Sequence, residues 1–270
     1  IYKAPITICT TDLWPETVYA FGFKKTRLLK WFLEGLVKHI YRNCSNIIVS
    51  CEGFIPKLQQ YINAKPFYWI PNWSLVKYLP KGSIQLPGKF NFTFAGNIGK
   101  VQNLDNVILG FELFVADHKD CYLNIIGDGS SFQTLKEFVN QRNIDNINFT
   151  GRKSLNEMSD YFQASDVLVI SLIDSPIYEL TIPSKFQTYL DTSKPLFGII
   201  KGEVKTLIEE NEIGFTALPG DPKDIALSFH KFMMLTPDEI ERVSINSRHL
   251  LESSFSRPLL IEELTRIFWT

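Results

Sequence analysis

The chain has 270 residues, 45% of them hydrophobic and 21% charged, so it can bury a core of one large or two small domains and is excluded from the disordered and low-complexity classes. Lys and Arg number 28 against 29 Asp and Glu, a net charge of −1, whereas a dedicated duplex-DNA binder carries a marked basic surplus, so no nucleic-acid partner is expected. The best apolar run, Val167 to Ile173, falls far short of the roughly 18 residues of a membrane span.

In chain order, the first strand is expected at Ile6–Cys9. Thr10, Thr11 and Asp12 end this apolar stretch before it can form a secretory leader, so the chain reads as a soluble, cytoplasmic protein. From Phe21 to Ile40 the bases Lys24, Lys25, Arg27, Lys30 and Lys38 oppose the single acid Glu34 and interleave with Phe21, Phe23, Trp31 and Phe32 at helical spacing. Such a segment suits an anionic membrane surface or a lipid-diphosphate acceptor; the other reading is a solvated face over a buried apolar one. Further strands are expected at Asn46–Ser50, Phe67–Ile70, Phe90–Ala95, Tyr122–Ile126, Ile147–Thr150, Val167–Ser171, Pro195–Ile199 and Gly214–Ala217.

Most of these strands are separated by segments with helical apolar spacing. Leu104, Val107, Ile108, Phe111, Phe114 and Val115 form one. Another opens at Ser154 with Glu157 three residues on, the signature of a capping box. Strand–helix alternation calls for a parallel sheet covered by helices on both faces. The stretch from Pro71 to Lys89 holds Pro71, Pro80, Pro87, Gly82 and Gly88 without periodicity and reads as a linker. After it come six strands, enough for a complete Rossmann-like domain. Before it come three strands and two helices, too few for a covered sheet, so the first domain is expected to be incomplete. The chain closes with helices at Pro237–Leu251 and Pro258–Trp269, and the last is apolar enough that it must dock.

The four cysteines (Cys9, Cys44, Cys51, Cys121) and four histidines lack metal-ligand spacing, so no metal or cofactor is expected. Three of the cysteines read as buried, reduced thiols. The N-x-S/T sequences at Asn43, Asn72, Asn91 and Asn148 read as chance.

In a parallel sheet, ligands bind beyond the carboxyl ends of the strands. The turns there are Gly96-Asn97-Ile98-Gly99-Lys100, Gly127-Asp128-Gly129, Gly151-Arg152-Lys153 and Gly198 to Glu203. Each alone is a tight turn; together, on one side of one sheet, they point to a nucleotide-type ligand. The segment Ile182-Pro183-Ser184-Lys185 is more specific. Pro183 marks a helix start, Ser184 is placed to cap it, and Lys185 falls in a first turn whose dipole prefers anions. Unless it reaches out to solvent, Lys185 is a partner for a bound anion such as a diphosphate.

These features together resemble the donor domain of the retaining GT-B glycosyltransferases, family four (group 1). The resemblance runs through Ala95-Gly96-Asn97-Ile98-Gly99, Ile125 to Gly129, Phe149 to Arg152, Ala164 to Leu168, Ile182 to Lys185, Lys194-Pro195 and Gly202-Glu203 on to Gly214. Upstream, Asp12 to Thr17 and Ile70-Pro71-Asn72 are similar to the end of the acceptor domain. The nearest subgroup is the bacterial surface-polysaccharide enzymes that transfer N-acetylated aminosugars. The implied division is 1–72 for the end of the acceptor domain, 73–88 for a linker, 89–253 for the donor domain, and 254–270 for a helix returning toward the N-terminal domain.

The resemblance implies that Gly96, Asn97, Gly99, Lys100, Ser184 and Lys185 hold the donor diphosphate. Asp128 lies on the adjoining turn, Arg152 and Lys153 border the nucleobase, and Gly202 and Glu203 face the sugar. Two departures stand out. Asn97 occupies a place where many members have arginine. Of the two glutamates normally eight residues apart, Glu179 is present but the ribose-gripping one falls on Gln187 or Thr188, and Thr188 offers one hydroxyl. Asp12 follows the first strand, where the family often has His-Asp. It either orients the acceptor hydroxyl or caps a turn, and Glu16 is the second candidate.

The expected function is transfer of an N-acetylhexosamine from a UDP-sugar, with retention and without a metal, to a lipid-linked glycan. The setting would be capsule, O-antigen or exopolysaccharide synthesis at the inner face of the plasma membrane. As it stands, the chain is expected to bind donor and turn over poorly. The rivals are a nucleotide-sugar epimerase of the same fold and a non-catalytic partner of another transferase.

Overall fold

The nine expected apolar runs all form strands, with ends displaced by no more than one residue: β1 (Thr7–Thr10), β2 (Asn46–Val49), β3 (Phe67–Trp69), β4 (Phe90–Ala95), β5 (Cys121–Ile126), β6 (Ile147–Gly151), β7 (Val167–Ser171), β8 (Leu196–Ile199) and β9 (Gly214–Ala217). The structure, a computed structural model, describes residues 4–20, 24, 26–62, 65–74, 82 and 84–269. Helices α1 (Glu16–Ala20), α2 (Arg27–Arg42) and α3 (Ile55–Gln59) accompany the first three strands. That is one helix more than the two expected, because α1 and α3 are five-residue turns built around Pro15 and Pro56 and show no apolar period. The later helices are α4 (Leu104–Val115), α5 (Phe132–Gln141), α6 (Leu155–Ala164), α7 (Lys185–Thr192), α8 (Glu203–Glu210), α9 (Pro222–Met233), α10 (Pro237–Leu250) and α11 (Arg257–Trp269).

Two parallel sheets result. One has the order β1-β2-β3, and the other β6-β5-β4-β7-β8-β9. In the larger sheet β4 pairs with both β5 and β7, so the winding reverses between β4 and β7. Buried strands covered on both faces divide their residues between two cores. Phe92, Phe94, Val167, Val169, Phe197 and Ile199 face α4 and α9, while Ala95, Leu168, Ile170 and Leu196 join the core under α7 and α8. This second core does not stop at the large sheet. It runs on through Leu13, Val37, Tyr41, Ile47, Val49, Cys51 and Phe54 of the smaller unit.

Register in the large sheet is held by a ladder of asparagines. Asn148 donates to Asn124 (2.9 Å), Asn124 donates to Asn91 (3.0 Å), and the Asn91 N–H donates to the Asp166 carboxylate (2.7 Å). A one-residue slip would leave these amides unpaired, at about 1–3 kcal/mol each. Two of the four N-x-S/T sequences are thereby spent on sheet structure, with Asn91 buried.

Leu260 and Ile267 of α11 pack with Ile48 and Ile70 beside β2 and β3. Phe268 and Trp269, also expected to dock, are exposed. A single π-turn, Leu251–Phe255, joins α10 to α11 and wedges Phe255 between Trp69 (ring centroids 6.0 Å apart) and Phe186 (5.6 Å). Cys44, Cys51 and Cys121 are buried free thiols, while Cys9 is exposed on β1.

Candidate functional site

In a doubly wound sheet ligands bind beyond the carboxyl ends of the strands beside the point where the winding reverses, here next to β4. A cavity of about 880 Å³ lies there, lined by Ala95, Gly96, Asn97, Gly127, Asp128, Arg152, Lys153 and residues of α6 and α7. Its floor is made of turns stitched to one another. The Gly96 N–H donates to the Ile126 carbonyl (2.9 Å), the Gly127 N–H to the Gly151 carbonyl (3.0 Å), and the Ile98 N–H to the Asp128 carbonyl (2.9 Å). Gly127 has φ +140°, and a Cβ there would lie 1.9 Å from the Gly96 carbonyl oxygen. Only glycine lets these two turns cross at such range.

Lys185, the first residue of α7, also lines the cavity. Its Nζ is buried without a hydrogen-bond partner among the described residues and sits 3.6 Å from the centroid of the Phe94 ring. It does not reach out to solvent. Burial pulls the amine down to about 7 from its ordinary value near 10.5. A Cβ on Gly96 would come within 3.2 Å of that nitrogen, so the amine lies against the bare backbone of the β4 turn. One turn on, the Tyr189 hydroxyl accepts the Ala95 N–H (2.9 Å) and donates to the Ala95 carbonyl (3.2 Å), pinning α7 to the end of β4.

The charged residues of the lining are Lys185, Arg152, Lys153 and Asp128, a surplus of cations. The Asp128 carboxylate accepts the Gly129 N–H (2.7 Å), and Lys153 lies over the Tyr161 ring (5.5 Å). Leu155, Met158 and Phe162 of α6 add an apolar wall. The pocket therefore combines cations and backbone dipoles with apolar side chains of α6. That combination suits a ligand joining an anionic group to a ring.

Of the residues singled out in sequence, Gly96, Asn97, Asp128, Arg152, Lys153, Ser184, Lys185 and Thr188 share this cavity. The rest lie elsewhere. Lys100 is exposed in a 3-10 turn, and the Gly99 N–H donates to the Gln102 side chain (3.0 Å). Gly202 packs against the backbone of Glu179, and the Glu203 carboxylate, raised by burial, accepts the Gly53 N–H (3.2 Å) from the smaller unit. Glu16 accepts the Tyr61 hydroxyl (3.3 Å) instead of lining the cavity. Asp12 is exposed at the seam of the two units; Tyr178 and Cys51 there are raised chiefly by burial, with the Asp12 charge adding to the shift.

Ser184 does not cap α7 as expected: its backbone is already helical (φ −56°, ψ −19°) and its side chain makes no cap bond. Gln187 is fully buried, with its amide oriented to donate to the Ser184 and Pro183 carbonyls (3.0 and 3.3 Å), which leaves Thr188 alone at the cavity wall. Thr188 itself donates to the Ser184 carbonyl (3.5 Å). On α2, Arg27, Lys30 and Trp31 are exposed, as is Lys24 ahead of it, and Lys30 lies 3.7 Å from Glu34; Lys25, Phe21 and Phe23 lie outside the described residues. Among the described residues no group of three or more His, Cys, Asp or Glu converges on a metal-sized site.

Gly127, from a turn expected to meet the ligand, also lines the cavity, and Met158, Phe162 and Tyr189 do so beyond the site residues expected from sequence. A signal exists for two of them, since Ser154, Met158 and Phe162 recur every four residues and so share one helix face. Tyr189 reads in sequence as an ordinary core residue.

Residues 81–249 match the family model described as Glycosyl transferases group 1. The probable glycosyltransferase WbjE of Pseudomonas aeruginosa is 24% identical over 265 residues, 93% of this chain and 65% of WbjE. The chain thus spans about 65% of the length of the curated relative it matches. Among solved structures, Anabaena HepE in complex with UDP-glucose superposes with a TM-score of 0.75 at 12% identity, over 98% of this chain and 72% of HepE. A mutant of Staphylococcus aureus TarM in complex with Fondaparinux, alpha-GlcNAc-glycerol and UDP gives 0.69 at 14% identity, over 92% of this chain and 48% of TarM. Sucrose-phosphate synthase of Thermosynechococcus elongatus gives 0.72 at 14% identity, over 97% of this chain and 66% of the synthase. These likenesses establish the α/β, GT-B fold.

Proposed function

The chain belongs to the group 1 glycosyl transferases, and from that premise we propose that its cavity binds the UDP-sugar donor of a retaining transferase. The sugar is an N-acetylhexosamine and the acceptor a lipid-linked glycan of surface-polysaccharide synthesis. The observation that carries the reading is the unpartnered amine of Lys185 against the bare Gly96 turn. A diphosphate there satisfies the amine, meets the positive end of α7, and leaves its base to the α6 wall. As the bond from the sugar to the diphosphate breaks, negative charge grows on the leaving group beside Lys185. The amine stabilises the transition state more than the ground state. Asp12 is the carboxylate we assign to orienting the acceptor hydroxyl. HepE bound to UDP-glucose and TarM bound to UDP support the donor class.

Isothermal titration with UDP, UDP-N-acetylglucosamine, GDP-mannose and NAD tests the donor. Binding of a UDP species is expected. Binding of GDP-mannose alone would move the assignment to another nucleotide, and binding of none of them would end it. Release of epimerised UDP-sugar without acceptor would replace transfer by epimerisation.

For the acceptor side, the carrying feature is the outer face of α2. Leu28 and Trp31 are 76% and 73% exposed, Phe32 is also exposed, and Arg27 and Lys30 flank them. A cationic helix with bare aromatic side chains fits an anionic lipid surface, where a lipid-linked acceptor resides. No helix among the described residues is long and apolar enough to cross a membrane. Co-sedimentation with phosphatidylglycerol vesicles is expected to exceed that with phosphatidylcholine, and Trp31→Ala with Phe32→Ala to cut it about fivefold or more. Equal sedimentation with both lipids would remove the membrane from the proposal.

A further inference from the structure

The lysine helix is held from outside its own sheet. Just upstream of Lys185, the Ile182 N–H donates to the Cys51 thiol (3.2 Å), and Cys51 is 1% exposed at the end of β2 in the smaller unit. The same loop sends the Gly53 N–H to Glu203 at the head of α8 (3.2 Å). It has no slack, because a Cβ on Gly53 would meet the Leu180 Cα and Cβ at 3.1 Å. On the other side of α7, Phe186, the residue after Lys185, bears on Phe255, which bears on Trp69 of β3. The first turn of α7 is thus gripped at two points by the three-stranded unit, while its own amine lies buried over the Phe94 ring without a hydrogen-bond partner.

We infer that the Ser50–Phe54 loop sets the position of the Lys185 amine, with Cys51 as the positioning residue through its hydrogen bond to Ile182. The inference rests on the reading of Lys185 as the diphosphate ligand. Burial keeps the Cys51 thiol protonated, pushed up to about 11, so sulfur acts as a neutral acceptor and packing group, not as a nucleophile. A shift of the Ile182–Lys185 segment by a fraction of an ångström changes how the amine meets an anion without unfolding the sheet.

Two substitutions separate acceptor from volume. Cys51→Val keeps the bulk and loses the acceptor; Cys51→Ser keeps an acceptor oxygen. Two readouts are taken: the rate of reductive methylation of Lys185 followed by peptide mass spectrometry on the free protein, and the UDP dissociation constant. Cys51→Val is expected to change the methylation rate and to weaken UDP about threefold to tenfold, with Cys51→Ser within about twofold of the parent in both. A valine variant matching the parent in both readouts overturns the inference, as does a serine variant failing alongside valine. Should the valine variant not fold, Cys51→Ala is measured against serine in its place. If the parent protein binds no UDP, the donor reading falls, and the methylation rates still decide whether Cys51 positions Lys185.

Discussion

Titration with UDP at pH 8 is expected to draw about 0.9 of a proton from the buffer per molecule bound, and Lys185→Met to abolish that uptake. The amine is held at about 7 by burial, so at pH 8 it is mostly neutral in the free protein. A diphosphate at hydrogen-bond range favours the ammonium, and the proton must come from solution. Titrations in two buffers of different ionisation enthalpy measure it directly. Above pH 7 the affinity then falls by close to tenfold per unit as protonating the amine becomes costlier.

The same shift has a stability consequence with a definite sign. The unfolded amine titrates near 10.5 and the folded one near 7, so between these values the unfolded chain binds more protons and stability rises with pH. The cost is present in full below pH 7, on the order of 5 kcal/mol, and vanishes above 10.5. Lys185→Met therefore stabilises the unliganded protein near neutrality while weakening UDP by roughly 1.5–3 kcal/mol, the value of a charge-assisted hydrogen bond. A variant binding UDP within about twofold of the parent would remove the lysine from the site.

The largest effect on folding is expected at Phe229→Ala. Phe229 is fully buried and its ring lies 4.7 Å from that of Phe92, 4.8 Å from Phe197, and 5.3 Å from both Phe111 and Phe114. A single side chain here joins α9 to α4, β4 and β8. Truncation removes its transfer energy, opens a cavity and unpairs these edge-to-face and stacked contacts, together about 4–5 kcal/mol. Urea titration should show the midpoint falling with the slope unchanged, and calorimetry a loss on the order of 10 °C. Since α9 lies on the sheet face away from α7, the folded variant should bind UDP as the parent does. A loss under about 2 kcal/mol would mean that the aromatic cluster closes around the gap.

How far the sequence can be read follows from the range of the forces involved. The strands are legible because each is a short apolar run between glycines or polar turns, and periodicity is local. The lysine is legible for a similar reason: a cation in the first turn of a helix is locally unfavourable and asks for an external explanation. The contact Glu203 makes across the units is not legible in sequence because its partner, the Gly53 N–H, lies 150 residues away and leaves no mark on its neighbours. Ser184 suits a cap by residue type, whereas the preceding Pro183 already sets helical geometry. Tyr189 escapes notice because only the fold reveals that its hydroxyl closes on the end of β4.

The core that continues from the large sheet into the small one bears on how such a protein could be recombined. A cut between β3 and β4 severs one covalent thread, yet it also splits a single apolar interior in which Cys51, Phe54 and Phe186 share a boundary and Phe255 is a wedge. Grafting the larger, six-stranded unit onto a foreign partner would join two surfaces that never grew to fit. The new seam would need its own counterpart of Cys51 and Trp69 before the lysine helix came to rest in the right place.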